Sequence, residues 1–379
     1  MSKDIPIKEV IEDKKTWFNI KRFHVGKLDI SRPEKTLDLK KATKETYDKY
    51  ILPVHQFKLF EISKKLQTFD VISSVSDNED SKNEEFFGSA KWREGKPTSI
   101  NFTLNFNPYD HIKKADDIDY FFDMYHGFSN PFLFVPNIKT KGEKNVPLIN
   151  MDNYLRFVDE AFAILNSKNS KPIFVPVSIR LTGNEQDKLI DHYVKNEYYN
   201  YWFDFEGRTL TTPLIGKLRH FNKKIKELGI FDKTVSYYTN INKIISENAE
   251  EENNPASDIL TSITGANIIG VNRKPQRNIK ITPGSPPYVP KPPEHRFRIF
   301  NKDSYYYVKS KTQIHQIPEV NQDINAINLD REFTNQTDHF MKNYEIGAYL
   351  SQKEMLTKFQ DGGLLKRLTN RKDKDKKTK

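Results

Sequence analysis

The chain has 379 residues and a formal net charge of +10, with 36% hydrophobic residues, 26 Phe and 18 Tyr. This length suits one large domain with appendages or two smaller domains, and the aromatic residues predict a core rich in large rings. The absence of cysteine excludes disulfides, thiolate nucleophiles and cysteine-ligated zinc.

Membrane and export signals are absent from the sequence. No stretch approaches the roughly 20 apolar residues that a membrane-spanning helix needs, and the N-terminal residues lack the apolar block of a signal peptide. We therefore expect a soluble, cytoplasmic protein with no membrane partner. The nine histidines include no pair with the HExxH spacing, which excludes that type of helical zinc site. Cofactor and oligomeric state stay unassigned.

The N-terminal part of the chain mixes two kinds of predicted element. A strand is predicted over 17–25, a helical stretch around 55–66, and a further strand at 69–75. An acidic, polar loop follows at 76–86. The segment 87–106 has the pattern of an antiparallel hairpin.

Residues 87–272 alternate short apolar runs with amphipathic stretches. Strands are predicted at 100–106, 131–137, 172–180, 198–206, 234–240 and 266–272, and helices at 117–125, 151–165, 184–196, 213–228 and 256–263. A βα spacing of roughly 30 residues is typical of parallel strands with crossover helices. With 17–25 and 69–75 the strands would number eight, which favours an α/β fold with a (β/α)8-like barrel. An irregular barrel or an open, partly mixed sheet is the alternative.

Composition divides the chain into four regions. We expect a barrel-like domain at 1–272, a Pro-rich linker at 273–294, a small α+β appendage of a hairpin and helices at 295–365, and a basic tail at 366–379. The linker pattern favours a stiff spacer that holds the appendage away from the main domain. The tail carries eight basic and two acidic residues, which predicts loose, salt-sensitive contact with nucleic acid or, alternatively, a solubilising end.

The candidate site lies where parallel strands end, because enzymes of this architecture have their active sites at that edge. Alternation along 198–206 puts Trp202, Asp204 and Glu206 on one face of the strand, and its aromatic neighbours on the other. We interpret Asp204 and Glu206 as catalytic carboxylates. Polar residues on this and neighbouring strands are predicted to bind substrate: Ser178, Arg180, Ser236, Asn240 and Asn272. The alternative is that strand ends are polar because they meet solvent.

Two chemistries suit such a pair of carboxylates. Residues two apart on a strand lie about 6–7 Å apart, and paired carboxylates can act as nucleophile or base and as general acid in glycosyl transfer or hydrolysis. Alternatively, Asp204 and Glu206 hold a divalent metal ion, although no motif assigns a metal site. The phosphate-binding patterns GxGxxG and GxxxxGK are absent.

Three segments carry a resemblance to a known family. GKLDISRP at 26–33, YWFDFEG at 201–207 and DILTSITGANIIGVN at 258–272, within a βα arrangement over 16–272, resemble the tRNA-guanine transglycosylase type of barrel, including its archaeal and DNA-modifying relatives. Those enzymes exchange a base in a nucleic acid through an aspartate that attacks the sugar. The resemblance implies a glycosyltransferase with Asp204 in that role, but without the family's cysteine-built zinc site.

A function of another class remains open. The chain would then be a non-catalytic scaffold that binds nucleic acid or protein. Basic and aromatic residues alternate in the predicted hairpin at 295–311, a pattern that suits stacking on bases. Packing of these rings into the interior is the alternative. The scaffold would use this hairpin together with the basic tail.

Overall fold

The computed structural model describes ten parts of the chain, which are residues 4–39, 56–66, 100–106, 115–140, 147, 149–168, 170–243, 253–272, 297–358 and 363–369. The predicted strand at 69–75, the linker at 273–294 and residues 370–379 of the basic tail lie outside the described residues, as does 87–99 of the predicted hairpin. Within the described residues no helix combines the length and hydrophobicity needed to cross a membrane.

An antiparallel sheet of three strands opens the chain. It consists of β1 (Ile7–Glu12), β2 (Asn19–Val25) and β3 (Leu28–Ile30). The strand predicted at 17–25 is confirmed, but its predicted place among the parallel strands is wrong, because β2 pairs antiparallel with both neighbours.

The next strands are short and mostly parallel. In chain order they are β4 (Glu34–Lys35), β5 (Leu37–Asp38), β6 (Phe60–Leu66), β7 (Ile100–Phe106), β8 (Leu133–Phe134), β9 (Asn137–Ile138), β10 (Ile173–Pro176), β11 (Asn200–Asp204), β12 (Val235–Thr239), β13 (Asn253–Pro255) and β14 (Ile268–Ile269). Helices α1 (Ala115–Phe128), α2 (Met151–Asn166), α3 (Gly183–Lys195) and α4 (Thr212–Glu227) lie between strands, as predicted, and 257–264 forms a 3-10 helix.

Two parallel sheets contain ten of these strands. The first has six strands in the order β4, β14, β12, β11, β10, β8, and the second has four in the order β5, β6, β7, β9. Only Thr36 separates β4 from β5, and only two residues separate β8 from β9. Both edge strands of the first sheet therefore continue along the chain into the edge strands of the second.

Two predictions in the second sheet are wrong. The helix predicted around 55–66 is instead strand β6 over its last seven residues, because Phe60 and Ile62 pack in the main core while Glu61 between them makes its contacts on the opposite face. The antiparallel hairpin predicted to end at 100–106 also fails there, since β7 pairs in parallel with both β6 and β9.

The two faces of β11 have different neighbours, as alternation predicts. Tyr201 and Phe203 pack edge-on against Phe221 of α4, with ring centroids 5.1 and 4.9 Å apart. Trp202 lies on the opposite face, in a second apolar cluster with Phe134, 5.8 Å away. That cluster also contains side chains of β2 and β3 together with Val235, the first residue of β12. The antiparallel sheet therefore packs near the amino ends of the parallel strands.

The C-terminal residues pack directly on this frame. The predicted hairpin is confirmed as β15 (Arg298–Asn301) and β16 (Tyr306–Lys309), and β13 adds a third antiparallel strand. Helix α5 (Pro318–Asn343) is followed by α6 (Gly347–Leu350), α7 (Glu354–Lys358) and α8 (Gly363–Thr369). Many of their apolar side chains belong to the same core cluster as α1 to α4. The appendage is therefore not held apart from the parallel sheets.

Two tyrosines of the hairpin point into the interior of the protein. Tyr305 and Tyr307 are almost fully buried, and their hydroxyls donate to Glu332 at 2.7 Å and to Asp258 at 2.6 Å. The inward alternative is thus confirmed for these two rings, and stacking of either on a nucleic-acid base is wrong.

Candidate active site

Glu61 is the centre of a buried hydrogen-bond network that sequence analysis missed. Its side chain is fully buried, and it projects from β6 on the face opposite to Phe60 and Ile62. Five donors reach its two oxygens: the hydroxyls of Thr103 (2.7 Å), Thr239 (2.6 Å), Tyr237 (2.6 Å) and Thr36 (3.3 Å), and the N–H of Val271 (2.9 Å). This number of bonds compensates the cost of burying a carboxylate.

The donors of Glu61 come from both parallel sheets. Tyr237 and Thr239 belong to the six-stranded sheet, and Thr103 belongs to the four-stranded one. Burial and the adjacent Glu61 carboxylate raise the pKa of Tyr237 well above its usual value. Tyr237 therefore stays protonated and donates a hydrogen bond to Glu61, which acts as an acceptor that joins the two sheets.

Asp204 lies beside this network at the carboxyl end of β11. It is 2% exposed, and its register partner on β12 is Thr239, one of the donors to Glu61. Neighbouring parallel strands direct paired residues to the same face, so Asp204 shares the face of Trp202, as predicted, and also that of Glu61. Its Oδ1 accepts the N–H of Glu206 at 2.8 Å, which stabilises negative charge on the carboxylate.

Glu206 forms an ion pair with Arg180 just beyond the strand. Oε2 of Glu206 accepts from Nε of Arg180 at 2.7 Å and lies 2.5 Å from its Nη2, and both side chains are about one-seventh exposed. The predicted strand face does not extend to Glu206, because β11 ends at Asp204 and Glu206 turns the chain with a φ of 52°. The predicted proximity of Arg180 to these carboxylates is confirmed for Glu206.

Two of the other predicted residues lie near this ion pair. Ser178 is buried, shares a 2.9 Å hydrogen bond with Thr140 and accepts the N–H of Arg180 at 3.3 Å. Asn240 is fully buried with a φ of 57°, and its carbonyl accepts from Gly207 in the turn after β11. Within the described part of the chain, neither polar atom of the Asn240 side chain has a hydrogen-bond partner.

The remaining two predicted residues lie elsewhere. Ser236 pairs in register with Tyr201, whose ring packs on α4, so Ser236 is on the face opposite to Asp204. Its predicted role in the site is therefore wrong. Asn272 follows β14 and donates to Asp258 at 2.7 Å, on the same oxygen that accepts from Tyr307. Asn272 thus faces the C-terminal hairpin.

The metal alternative gains no support from this arrangement. Arg180 already occupies one oxygen of Glu206, and no group of three or more histidine, aspartate or glutamate side chains in the described ranges is arranged to hold an ion. The chain matches no protein-family model, and no curated protein matches it.

Replacing Arg180 with methionine is expected to lower the free energy of unfolding by about 2 kcal/mol, since the substitution leaves the mostly buried carboxylate of Glu206 without its cation. Denaturant unfolding measures the change. The matched control is Arg22→Met, because Arg22 pairs with Glu9 at 2.8 Å where both side chains are more than 40% exposed. That variant should change stability by less than about 0.5 kcal/mol. Equal effects of the two substitutions would contradict the assignment of the Arg180 pair as structurally important.

Proposed function

We propose that the two parallel sheets form one (β/α)8-like barrel. The continuity of β4 with β5, and of β8 with β9, supports this arrangement. Two backbone hydrogen bonds also support it. The N–H of Thr36 donates to the carbonyl of Ile269 in the six-stranded sheet, and the N–H of Leu37 donates to the carbonyl of Leu59, next to β6 of the four-stranded sheet. Counting each continuous pair once gives eight parallel strands around the face that carries Glu61 and Asp204.

We infer further that this protein is an enzyme with its active site at the carboxyl ends of these strands. The observation that carries the inference is the position of Asp204, a buried carboxylate at a strand end, beside the Glu61 network and one turn from the Arg180–Glu206 ion pair. In parallel α/β architectures this edge is where reacting groups are placed. Buried charged groups gathered at one edge are typical of functional sites.

Asp204 is the reactive carboxylate in this proposal, and a nucleoside unit of a nucleic acid is the substrate. A carboxylate oxygen of Asp204 attacks C1′ of the sugar, and the C1′–N bond breaks with its electron pair passing to the departing base. A nitrogen of an incoming base then attacks C1′, and the C1′–O bond breaks with its electron pair returning to Asp204. One proton moves from the incoming base to the departing one, so the exchange balances without an oxidant or reductant.

The other charged groups have supporting roles in the proposal. The N–H of Glu206 bonds Asp204, and Arg180 holds the Glu206 side chain, so the ion pair fixes the turn that orients the nucleophile. Glu61 has both oxygens occupied by donors and is a positioning residue. Glu206 thus helps to orient Asp204, whereas the sequence predicted it to be a second catalytic carboxylate.

The test is incorporation of radiolabelled free guanine into bulk tRNA or double-stranded DNA, measured as acid-insoluble label. Asp204→Asn should reduce incorporation at least about 100-fold while leaving the melting temperature near that of the unchanged protein. The control is Asp191→Asn, which alters an exposed carboxylate paired with Lys224 on the outer helices and should retain full activity. Absence of incorporation with either nucleic acid overturns base exchange. Unchanged activity or loss of folding in Asp204→Asn overturns the catalytic role.

The scaffold alternative has lost its main support, because two of its aromatic residues, Tyr305 and Tyr307, are buried. Contact of the basic tail with nucleic acid stays a prediction. Of the tail, only 366–369 are described, as part of α8.

A further inference from the structure

A cavity of about 160 Å³ lies between the β4–β5 and β14 strand ends and the C-terminal hairpin with α5. Asp204, Glu206 and Arg180 are not among the residues that line it, whereas Thr36 and Val271, two of the donors to Glu61, are, so the cavity adjoins the Glu61 network on the side away from Asp204's ion-pair neighbours. A protein cavity of about 150 Å³ holds one benzene molecule. The available space therefore fits a ligand of one six-membered ring with a small substituent.

The charged side chains at the cavity wall are mostly positive. Among the described residues, Lys35, Lys243 and Arg298 line it together with one carboxylate, that of Asp38. The Lys243 ammonium lies 3.8 Å from the centre of the Tyr307 ring, which also lines the cavity and holds the ammonium near it. An anion inside this wall would be attracted by the three cations.

Lys35 gives the cavity a buried cation with spare donors. Its side chain is 2% exposed, and in the described part of the chain its ammonium donates to the Gly270 carbonyl. An ammonium has three N–H donors, so two remain for a ligand. Burial lowers the pKa of Lys35 to about 8, which leaves most of the amine protonated at neutral pH. A buried ammonium with unused donors is costly unless an acceptor reaches it.

The first turns of α5 add positive potential. Pro318 and Asn321, near the start of this 26-residue helix, line the cavity. The amino end of a long helix carries partial positive charge and favours anions. The amino end of the helix and the lysines thus both favour a negatively charged ligand.

Apolar side chains form part of the wall, beside several asparagines. Leu37, Val271, Phe297 and Leu329 line the cavity between its polar groups. Such a surface suits a flat apolar body with one polar end. We propose that this cavity is a binding site for a small aromatic or heteroaromatic carboxylate, with its ring between these apolar side chains and its carboxylate at Lys35 and Lys243.

The test uses three probes of nearly equal shape, in isothermal titration calorimetry with the full chain at low ionic strength. Benzoate should bind with a Kd on the order of 1 mM. Neutral benzamide and cationic benzamidine should bind at least about fivefold more weakly, because neither supplies negative charge to the lysines.

Two substitutions locate the binding. Lys35→Met should weaken benzoate binding about tenfold, and Lys243→Gln, whose ammonium is less buried, about threefold. The control is Lys233→Gln, because Lys233 also lies over a tyrosine ring, that of Tyr199 at 5.9 Å, but does not line the cavity. It should leave the affinity unchanged. Thermal melting of each variant separates lost binding from lost folding, and Lys243→Gln decides the result if Lys35→Met unfolds.

Three outcomes would overturn the proposed site. They are no saturable benzoate binding, equal binding of all three probes, or benzoate binding that neither Lys35→Met nor Lys243→Gln weakens. None of these results bears on guanine incorporation, so failure of this site and failure of the proposed enzyme are distinguishable.

Discussion

Replacing Glu61 with alanine is expected to lower the free energy of unfolding by about 5 kcal/mol, enough to unfold the chain if its stability is that of an ordinary domain. The substitution removes the shared acceptor of five donors, four hydroxyls and one backbone N–H. Each buried donor without an acceptor costs about 1–3 kcal/mol. Water entering the space will satisfy some of them, which keeps the total below the sum.

Glu61→Gln separates the loss of acceptors from the loss of volume. The glutamine amide keeps one carbonyl oxygen as an acceptor but places an NH2 group against hydroxyls that donate to Glu61 in the unchanged protein. These hydroxyls can rotate and accept from the NH2 group instead. The backbone N–H of Val271 cannot do so. We expect a loss of about 2 kcal/mol, measured by denaturant unfolding. Glu160→Ala on the exposed face of α2 is the control, at less than about 0.5 kcal/mol. If Glu61→Ala were as mild as this control, the network would not hold the sheets together.

Local pattern predicted most elements of the parallel sheets and the inward face of β11. Strand 100–106 and helix 151–165 have strong apolar periodicity, and the structure has them within one residue of their predicted ends. Glu61 was missed because the segment that contains it, HQFKLFEISKKL, was predicted to be helical. Its alternation of Phe60, Glu61 and Ile62 was the available signal. Its partners come from residues up to 210 positions away along the chain, and no local pattern predicts such pairing.

Ser236 shows why the face of a buried strand is hard to predict. All five residues of β12 are buried, so apolar and polar side chains do not separate by face. Tyr237 and Thr239 point to Glu61, whereas Ser236 and Tyr238 point to the outer helices. The sequence VSYYT gives equal support to either assignment. β4 and β5 were missed because each contains only two residues and includes a charged side chain.

Replacing Gly270 with alanine is expected to destabilise the fold by about 3 kcal/mol through overpacking. A Cβ at this position would lie 2.5 Å from Cβ and Oγ1 of Thr239 and closer still to Oε2 of Glu61. Both neighbours are buried in the same network, and the Gly270 carbonyl also accepts from Lys35. The backbone therefore cannot move away without breaking other hydrogen bonds.

The matched glycine is Gly216 inside α4, where an added Cβ meets no atom within 4 Å. Gly216→Ala should stabilise the protein by about 0.5–1 kcal/mol, because alanine loses less backbone entropy than glycine in a helix. Thermal and denaturant unfolding of the two variants should thus give changes of opposite sign. The pair tests whether Glu61 and Thr239 lie against the backbone just after β14, since their close approach makes Gly270 intolerant of a methyl group. A neutral or stabilising Gly270→Ala would contradict the placement of Glu61 and Thr239 against this backbone.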